Sequence, residues 1–307
     1  MPLQHLKSLT IKSIFMMKPT PTLVILLLIS FCGFAQNWQY NNNRIAISFD
    51  GNSAADNQYK WPIGDPDDWG ASAASLAILA KLNLQKQLVH CSYNNFIDAP
   101  AGPDSENQLK ISLEGGAERW NFNKSVLFDV TTQLEKAKKH LAAEMAKSTA
   151  KDPLYFMHAG LSEFVYQAVE LVAKSKDSTA LKHVYVLSHS GFNENEKRRP
   201  YHHTWSDIQK LSGNKLQYKK IIDQNNKNNP NDLWNSDKDF SVWYWMRDHA
   251  DPNIQWLYTR MQAHSHGVAD ISDCGLLYYL LIGDEKGNPE KFKAFIGEGI
   301  PTKRNKK

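Results

Sequence analysis

Short apolar runs alternate with longer amphipathic segments along most of this chain, and each apolar run ends in polar residues. Four of the runs are rich in β-branched and aromatic residues, which is typical of buried strands; they lie at 45–49, 87–92, 153–158 and 183–189. Residues 71–82, and the segment that begins near Leu161, have the apolar spacing of helices. Strands that alternate with helices pair in parallel, so the pattern predicts an α/β fold with an open, mostly parallel, Rossmann-like sheet flanked by helices.

Three segments between or after these runs have other patterns. Residues 128–147 carry apolar side chains three or four positions apart with lysines and glutamates between them, so we predict an amphipathic helix. Residues 99–123 are rich in Gly, Pro and polar side chains, and they are assigned only as a long loop. Residues 196–203 are rich in Arg and His, and we expect a loop of that composition to be solvated.

Acidic residues concentrate where the first predicted strand passes into the first predicted helix. Five aspartates lie within nineteen positions: Asp50, Asp56, Asp65, Asp67 and Asp68. Ligands bind at the carboxyl ends of strands in open α/β sheets, and carboxylates crowded there repel one another unless a cation joins them. One of these acids could simply cap the helix, but a cap needs only one. The pattern therefore predicts a hard-metal site, with calcium as the expected ion.

The same segment resembles a known family. Asp50 followed by GDPDDWGASAASL, residues 64–76, is similar to the N-terminal signature of the inosine-uridine nucleoside hydrolase superfamily, and more closely to its divergent exported branch. In that branch a Gly-Asp-Pro-Asp-Asp segment follows a strand-end aspartate, and here an insertion at 51–64 separates the two parts. The resemblance implies a nucleoside hydrolase-like fold, a bound Ca²⁺ and hydrolysis of a glycosidic bond.

Later segments match the family in the same order. The segment HAGLSEFVYQAV, which begins at His158, resembles a strand-turn-helix unit whose backbone carbonyl completes the calcium shell. The segment SHSGFNEN resembles the next strand and its sugar-binding asparagine, for which Asn193 and Asn195 are the candidates. Asn94 and Asn95 stand where the family has a ligand-binding Gly-Asn, although an ordinary Asn-rich turn explains them equally well.

An acidic turn near the C-terminus feeds an apolar helix and mirrors the first motif. The family has a His-Asp pair at the head of such a helix, where the aspartate ligates calcium and the histidine helps the leaving base to depart. Asp273 matches the aspartate, but Ser272 stands in place of the histidine, so His264 or His266 would have to supply the acid. Read from its position alone, Asp273 could also be a helix cap.

The resemblance assigns a role to each of these residues. Four residues would hold the calcium ion: Asp50, Asp68, Asp273 and, through its backbone carbonyl, His158. Asp67 would bind two sugar hydroxyls, and Asn94, Asn95, Asn193 and Asn195 would complete the substrate site. Asp50 would also be the general base, with Asp65 as its rival, and His266 would be the acid. The implied reaction is attack of a calcium-held water on an anomeric carbon.

Two other classes of function stay open. A carbohydrate- or nucleoside-binding protein could keep the fold and the metal without turnover, because Ser272 replaces the acid and the first motif is altered. A zinc hydrolase would use histidines that lie near predicted strand or helix ends: His158, His189, His264 and His266. Oxygen-rich motifs favour calcium over zinc.

The first 35 residues predict a secretory signal peptide. Three lysines precede an apolar run that is too short to span a bilayer, and Gly33-Phe34-Ala35 places small residues where a signal peptidase cleaves. Lipid anchoring at Cys32 is the less favoured alternative, because Phe31 precedes it. We therefore expect an exported, periplasmic or extracellular protein whose mature part, 36–307, is one domain with a basic tail from about residue 301.

Charge and cysteine content narrow the classes of partner. Residues 1–35 carry three lysines and no acids, so their removal lowers the formal net charge from +4 to +1, which argues against a nucleic-acid-binding surface. The expected partner is a small-molecule nucleoside or carbohydrate, without membrane contact after signal cleavage, and homo-oligomerisation is left open. Cys91 and Cys274 are expected to be buried free thiols.

Overall fold

The computed structural model describes residues 38, 40–60, 62, 67–226, 234, 240–262 and 270–301. Apart from Trp38, these residues belong to the unit Gln39–Lys307. The predicted signal peptide, the basic tail after residue 301, and the candidate residues Asp65, His264 and His266 lie outside the described residues. None of the helices in the described ranges combines the length and the hydrophobicity that a membrane span requires.

Six parallel strands form one sheet in the part of the chain that the structure describes. They are β1 (Arg44–Ser48), β2 (Leu88–Tyr93), β3 (Leu127–Asp129), β4 (Leu154–His158), β5 (Val184–Ser188) and β6 (Gln217–Lys220). Their spatial order is β3-β2-β1-β4-β5-β6, which confirms the predicted open parallel α/β sheet. The strand order reverses between β1 and β4, where Ser48 pairs with His158. In open α/β sheets the carboxyl ends of the strands at such a switch point border the ligand-binding crevice.

Helices cover both faces of the sheet. They are α1 (Asp67–Lys81), α2 (Gln108–Trp120), α3 (Val130–Ala146), α4 (Glu163–Ala173), α5 (Gly191–Asn195), α6 (Trp205–Leu211), α7 (Tyr244–Arg247), α8 (Pro252–Gln262), α9 (Cys274–Ile282) and α10 (Pro289–Ile296). Helices α3, α4 and α6 share one apolar core with strand residues such as Ala46 and Phe156. Helix α1 is buried on nearly all sides, and its small side chains allow α2, α8 and α9 to pack closely against it.

Two predicted segments differ from the structure. Residues 127–129 form the edge strand β3, so the helix predicted at 128–147 begins only at Val130. Asp129 ends the strand and caps the helix, since its Oδ1 accepts the Thr131 N–H at 3.0 Å. The loop predicted at 99–123 contains helix α2, whose start is capped by Asn107 Oδ1 accepting the Lys110 N–H at 3.1 Å. Cys91 and Cys274 are buried free thiols, as predicted.

A buried pair of histidines joins β2 to α3. His90 Nδ1 lies 3.1 Å from His140 Nδ1, and the His90 ring stacks on Phe128 with ring centroids 5.1 Å apart. Burial, and secondarily the charge of His140, lowers the pKa of His90 well below its ordinary value. His90 is therefore neutral in the folded protein at neutral pH, and a single proton lies between the two Nδ1 atoms.

His90→Phe is expected to reduce the dependence of stability on pH. A histidine whose pKa is depressed by folding contributes stability that is fully present above about pH 6.5 and is lost as the pH falls from there towards the folded-state pKa. Removing one such group should reduce the slope of the unfolding free energy against pH by up to about 1.4 kcal/mol per pH unit. Urea denaturation between pH 5 and 8 measures this, and an unchanged slope would show that His90 takes up its proton without unfolding.

Candidate functional site

Three aspartates converge at the crevice between β1 and β4. Asp67 and Asp68 lie in the first turn of α1, and Asp273 lies directly before α9. One carboxylate oxygen of each lies within 4.8 Å of the others. We call these residues the aspartate trio. The packing of α9 against α1 explains why residues far apart in the chain meet here.

A fourth aspartate extends the trio towards β4. Asp50 follows β1, is 3% exposed, and its carboxyl group contacts that of Asp68. Gly160, in the turn after β4, has a φ of +117°, and a Cβ atom there would lie only 2.1 Å from Asp50 Cβ. The turn after β4 therefore needs glycine, and its backbone holds the Asp50 side chain in place.

Asp68 is a buried acid without a neutralising partner. Both of its carboxylate oxygens are buried, and no N–H group of the described residues donates to either. Its contact with Asp50 joins two acids, so it becomes a hydrogen bond only when a proton lies between them. Burial, followed by the negative charges of Asp273, Asp50 and Asp67, raises the pKa of Asp68 well above its ordinary value. The cluster therefore needs either a proton or a cation.

Asp273 is not explained as a helix cap. It stands at the cap position of α9, but its side chain makes no capping hydrogen bond. Its Oδ1 instead lies 2.7 Å from Nε2 of His189, which follows β5. Burial alone would lower the pKa of His189, but hydrogen bonds to Asp223 and Asp273 overcome burial and raise it to about 9.

His189 can hold Asp273 in either protonation state. Its Nδ1 lies 3.3 Å from Asp223 Oδ1 and also 3.3 Å from the backbone nitrogen of Gln224. In the doubly protonated ring Nδ1 donates to Asp223, whereas in the neutral ring Nδ1 accepts the Gln224 N–H. Nε2 donates to Asp273 in both cases, so His189 orients this carboxylate. The sequence indicated His189 only as a zinc ligand and gave no signal for this contact.

Amide oxygens without donors lie on the same edge of the sheet. Asn95 follows β2; its Nδ2 donates to Ser48 Oγ at 2.7 Å, and its buried Oδ1 has no partner. Asn52 lies in the connection after β1; its Nδ2 donates to the Ala54 carbonyl, and its Oδ1 is also buried without a partner. These oxygens can accept ligand hydroxyls or join a cation.

The other predicted asparagines hold backbone and side chains together. Asn94 Nδ2 donates to Asn107 Oδ1 at 3.0 Å and to Asp129 Oδ2 at 3.1 Å, so it ties the caps of α2 and α3. Asn193 Nδ2 donates to the His158 carbonyl at 3.1 Å, and thereby joins β4 to α5. Asn195 is exposed, and its Nδ2 donates to the Gly191 carbonyl at 3.0 Å. Direct substrate contact by these three residues stays a prediction.

The imidazole of His158 is engaged inside the protein. Its Nε2 lies 3.2 Å from Ser162 Oγ and 3.2 Å from the Asn193 carbonyl oxygen. Burial lowers the pKa of His158 to about 4, so the ring is neutral at neutral pH. Its carbonyl has one lone pair left after the bond from Asn193, and its role as a calcium ligand stays a prediction. Within the described residues, the group of side chains that could hold a metal ion contains no histidine.

Asp56 does not belong to the trio. Its Oδ2 accepts hydrogen bonds from Arg198 Nη2 and from Arg199 Nη2, the latter at 2.8 Å. Arg198, Arg199 and His202 are all buried, so the prediction of a solvated loop at 196–203 is wrong for these three residues. It is confirmed for Lys197, Pro200 and Tyr201, which are exposed. The composition of the loop suggested solvent, but an acid 142 residues away in the sequence allows the arginines to be buried.

Comparison with known proteins finds a relative of similar length. "Uncharacterized protein P22" of Formosa agariphila is 29% identical over 259 residues, and the alignment covers 80% of this chain and 85% of that protein. No protein-family model matches the chain. No solved structure matches it either.

Proposed function

We propose that this protein is an exported calcium-dependent hydrolase that cleaves a glycosidic bond, an N-riboside or a related glycoside. The observation that carries the proposal is the buried Asp68 carboxylate, which faces Asp50, Asp67 and Asp273 and accepts no N–H group from the part of the chain that the structure describes. Four acids at the switch point of a parallel sheet occupy the place where such folds bind ligands. Export is supported by the pattern of residues 1–35.

The residues present fit a calcium ion. Calcium prefers oxygen ligands and takes roughly 6–8 of them. The trio and Asp50 supply carboxylate oxygens, and Asn52 and Asn95 have unpaired amide oxygens on the same edge. When bound, the ion would supply the positive charge that positions sugar hydroxyls and a water near the anomeric carbon. Zinc fits less well, because it favours nitrogen and sulfur ligands.

Asp50 is suited to accept a proton from the attacking water. A general base must lie about 2.6–3.2 Å from the oxygen that it deprotonates, so it must not move away. The backbone of Gly160 packs directly against the Asp50 side chain, and Gly51 turns the chain with a φ of +132°. Asp65, the alternative base, lies outside the described residues.

The remaining acceptors would orient the sugar. Asp67 Oδ1 accepts the Asp68 N–H at 2.9 Å, which fixes this carboxylate at the start of α1 beside the other members of the trio, where it would bind the sugar hydroxyls. Asn95 Oδ1 accepts no hydrogen bond from the residues that the structure describes and can accept another hydroxyl. His189 keeps Asp273 in position from behind.

A binding protein of the same fold is the second candidate. Ser272 stands where a leaving-group acid is expected, its hydroxyl is buried, and that hydroxyl has no hydrogen-bond partner. A serine hydroxyl is too weak an acid to protonate a departing base. His266 would have to supply the proton, and this assignment stays a prediction. A protein without that proton would bind its ligand and release it intact.

Calcium titration followed by a sugar-release assay separates these candidates. We expect the metal-stripped protein to bind calcium at about micromolar or tighter affinity, and to release sugar from a mixture of nucleosides and nitrophenyl glycosides only with calcium present. Asp50→Asn should lower kcat by about 10²- to 10⁴-fold. Asp104→Asn, at an exposed acid, is the matched control and should leave both measurements unchanged.

Each outcome of this experiment points to a different conclusion. Calcium binding with sugar release supports the hydrolase. Calcium binding without release on any glycoside supports the binding protein. A protein that binds no calcium contradicts both candidates, and leaves the acids to be neutralised by protons.

A further inference from the structure

Arg198 is a buried cation with unpaired hydrogen-bond donors. Its side chain has no exposed surface, and its Nη2 donates to Asp56. Its Nε and Nη1 are buried and have no hydrogen-bond partner within the described ranges. Nε and Nη1 are the other two nitrogens of the planar guanidinium group, so unpaired N–H groups point outward from two of its edges. Buried N–H groups without an acceptor are costly and rare, and a charged group makes the cost larger.

Two aromatic rings fix the position of this guanidinium. The Arg198 Cζ lies 4.5 Å from the centre of the Phe96 ring and 4.9 Å from the centre of the Tyr59 ring. Together with Leu161, the rings form a small buried apolar cluster. Ring faces attract the positive charge, but they do not give each N–H group an oxygen acceptor. The guanidinium is thus held in place, and the rings leave its Nε and Nη1 donors without an oxygen acceptor.

This cluster borders the edge of the sheet that carries the acids. Phe96 follows Asn95, and its N–H donates to the Gly51 carbonyl at 3.2 Å. Leu161 follows Gly160, whose backbone packs against Asp50. Burial, followed by the charges of Glu196 and Asp50, raises the pKa of Tyr59, which agrees with this placement. Asp50 and Arg198 therefore both lie close to the same small group of rings.

The partners of Arg198 do not use up its positive charge. Asp56 Oδ2 serves Arg198 and Arg199 at once, so one carboxylate oxygen faces two guanidinium groups. Arg199 has a second acceptor, the Asp98 carbonyl at 3.1 Å, and Arg198 has none. An additional anionic acceptor would satisfy Arg198 without disturbing Asp56.

We propose that Arg198 binds an oxyanion carried by the ligand, so that the substrate is an acidic glycoside with a carboxylate, sulfate or phosphate group. The guanidinium fork pairs with such groups through charge-assisted hydrogen bonds, whereas a neutral sugar hydroxyl is a weaker acceptor. The assignment of an acidic sugar as substrate rests on the proposed hydrolase function. The binding of an oxyanion at Arg198 does not depend on that function.

Calorimetric titration with matched sugars tests the proposal. D-glucuronate, glucose 6-sulfate, glucose 6-phosphate and D-glucose share one ring and differ in the group they carry. We expect at least one acidic sugar to bind about tenfold or more tightly than glucose, in calcium and in EDTA alike. The strongest of the three identifies the oxyanion. Equal binding of all four sugars by the wild-type protein overturns the proposal without any variant.

Arg198→Lys tests which residue is responsible. Lysine keeps a positive charge opposite Asp56 but removes the planar fork, so the preference for the acidic sugar should fall about tenfold or more. Arg199→Lys is the matched control, because Arg199 shares the Asp56 oxygen and should leave the preference intact. Thermal unfolding of both variants checks that they fold. A preference that survives in a folded Arg198→Lys protein assigns the oxyanion to another residue and overturns the proposal.

Calcium titration of the same preparations separates this proposal from the hydrolase. Wild-type protein that binds calcium and releases sugar, but shows no preference for acidic sugars, contradicts only the oxyanion site. Protein that prefers acidic sugars but binds no calcium supports the oxyanion site and contradicts the hydrolase.

Discussion

Asp68→Asn is expected to make the metal-free protein more stable while weakening its affinity for calcium by at least about 100-fold. The wild-type carboxylate buries two oxygens that no N–H group reaches, beside three other acids. Asparagine has nearly the same shape, removes the carboxylate, and can donate its Nδ2 hydrogens to Asp50, Asp67 or Asp273. The free energy of unfolding should rise by about 1–3 kcal/mol, the cost of leaving one buried polar group unsatisfied.

Denaturation in EDTA and in excess calcium measures both effects. Wild-type protein should gain about 2.7 kcal/mol of stability when calcium exceeds its Kd a hundredfold, and Asp68→Asn should gain at most about 0.4 kcal/mol at the same calcium concentration. A variant that loses stability in EDTA would contradict the metal site, because it would identify the Asp68 carboxylate as an acceptor that the fold itself requires.

Asp56→Asn is the matched control for this experiment. Asp56 is 2% exposed and lies in the connection between β1 and α1, and Asp68 is 1% exposed and lies in the first turn of α1. Asp56, however, accepts hydrogen bonds from two arginines. Neutralising it leaves buried guanidinium groups without their acid, so the free energy of unfolding should fall by about 3–5 kcal/mol. The stabilisation by calcium should remain. If Asp68→Asn raises the free energy of unfolding and Asp56→Asn lowers it, the two equally buried aspartates have different roles.

The strands that the sequence predicts are those in the centre of the sheet. β1, β2, β4 and β5 are buried on both faces and therefore read as apolar runs. The two edge strands give no such signal, because β3 has three residues and β6 reads QYKK with its side chains partly or fully exposed. Edge strands are often short and charged, since this prevents pairing with other chains.

Helix α2 was missed because two glycines lie in its middle. Gly115 and Gly116 lower the helix propensity of the segment, but both are required by packing. A Cβ at Gly115 would lie 2.7 Å from Trp256 Cζ2, and a Cβ at Gly116 would lie 2.9 Å from Leu76 Cδ1. Side chains that are distant in the sequence thus approach α2 so closely that glycine is required at both positions. These glycines give the helix the composition of a loop.

The sequence predicts where acids gather better than it predicts what each acid does. Strand ends and helix starts place Asp67, Asp68 and Asp273 at one edge of the sheet, and the structure brings these three together. Asp56 looks similar in sequence, and only the fold shows that Arg198 neutralises it. The contact between His189 and Asp273 joins residues 84 positions apart, and no local pattern encodes it.

Gly160→Ala is expected to lower the free energy of unfolding by more than about 4 kcal/mol. Gly160 has a φ of +117°, which side-chain-bearing residues rarely adopt, and its added Cβ would lie 2.1 Å from Asp50 Cβ and 2.6 Å from Asp50 Cγ. Neither side can easily move, because β1 and β4 pair in register up to Ser48 and His158. Thermal or urea unfolding measures the loss.

Gly213→Ala separates the two causes of that loss. Gly213 also has a positive φ, +63°, but a Cβ there would have no heavy atom within 4 Å, so this variant reports backbone strain alone, about 1–2 kcal/mol. The difference between the two variants measures the contact with Asp50 together with the extra backbone strain at a φ of +117°, which lies further from the left-handed region than +63° does. Equal losses would mean that the turn after β4 can move away from Asp50, and the rigid placement of the proposed base would then be wrong. A large difference, with sugar release lost in the folded fraction of Gly160→Ala only, would mean that one backbone contact both stabilises the crevice and positions its base.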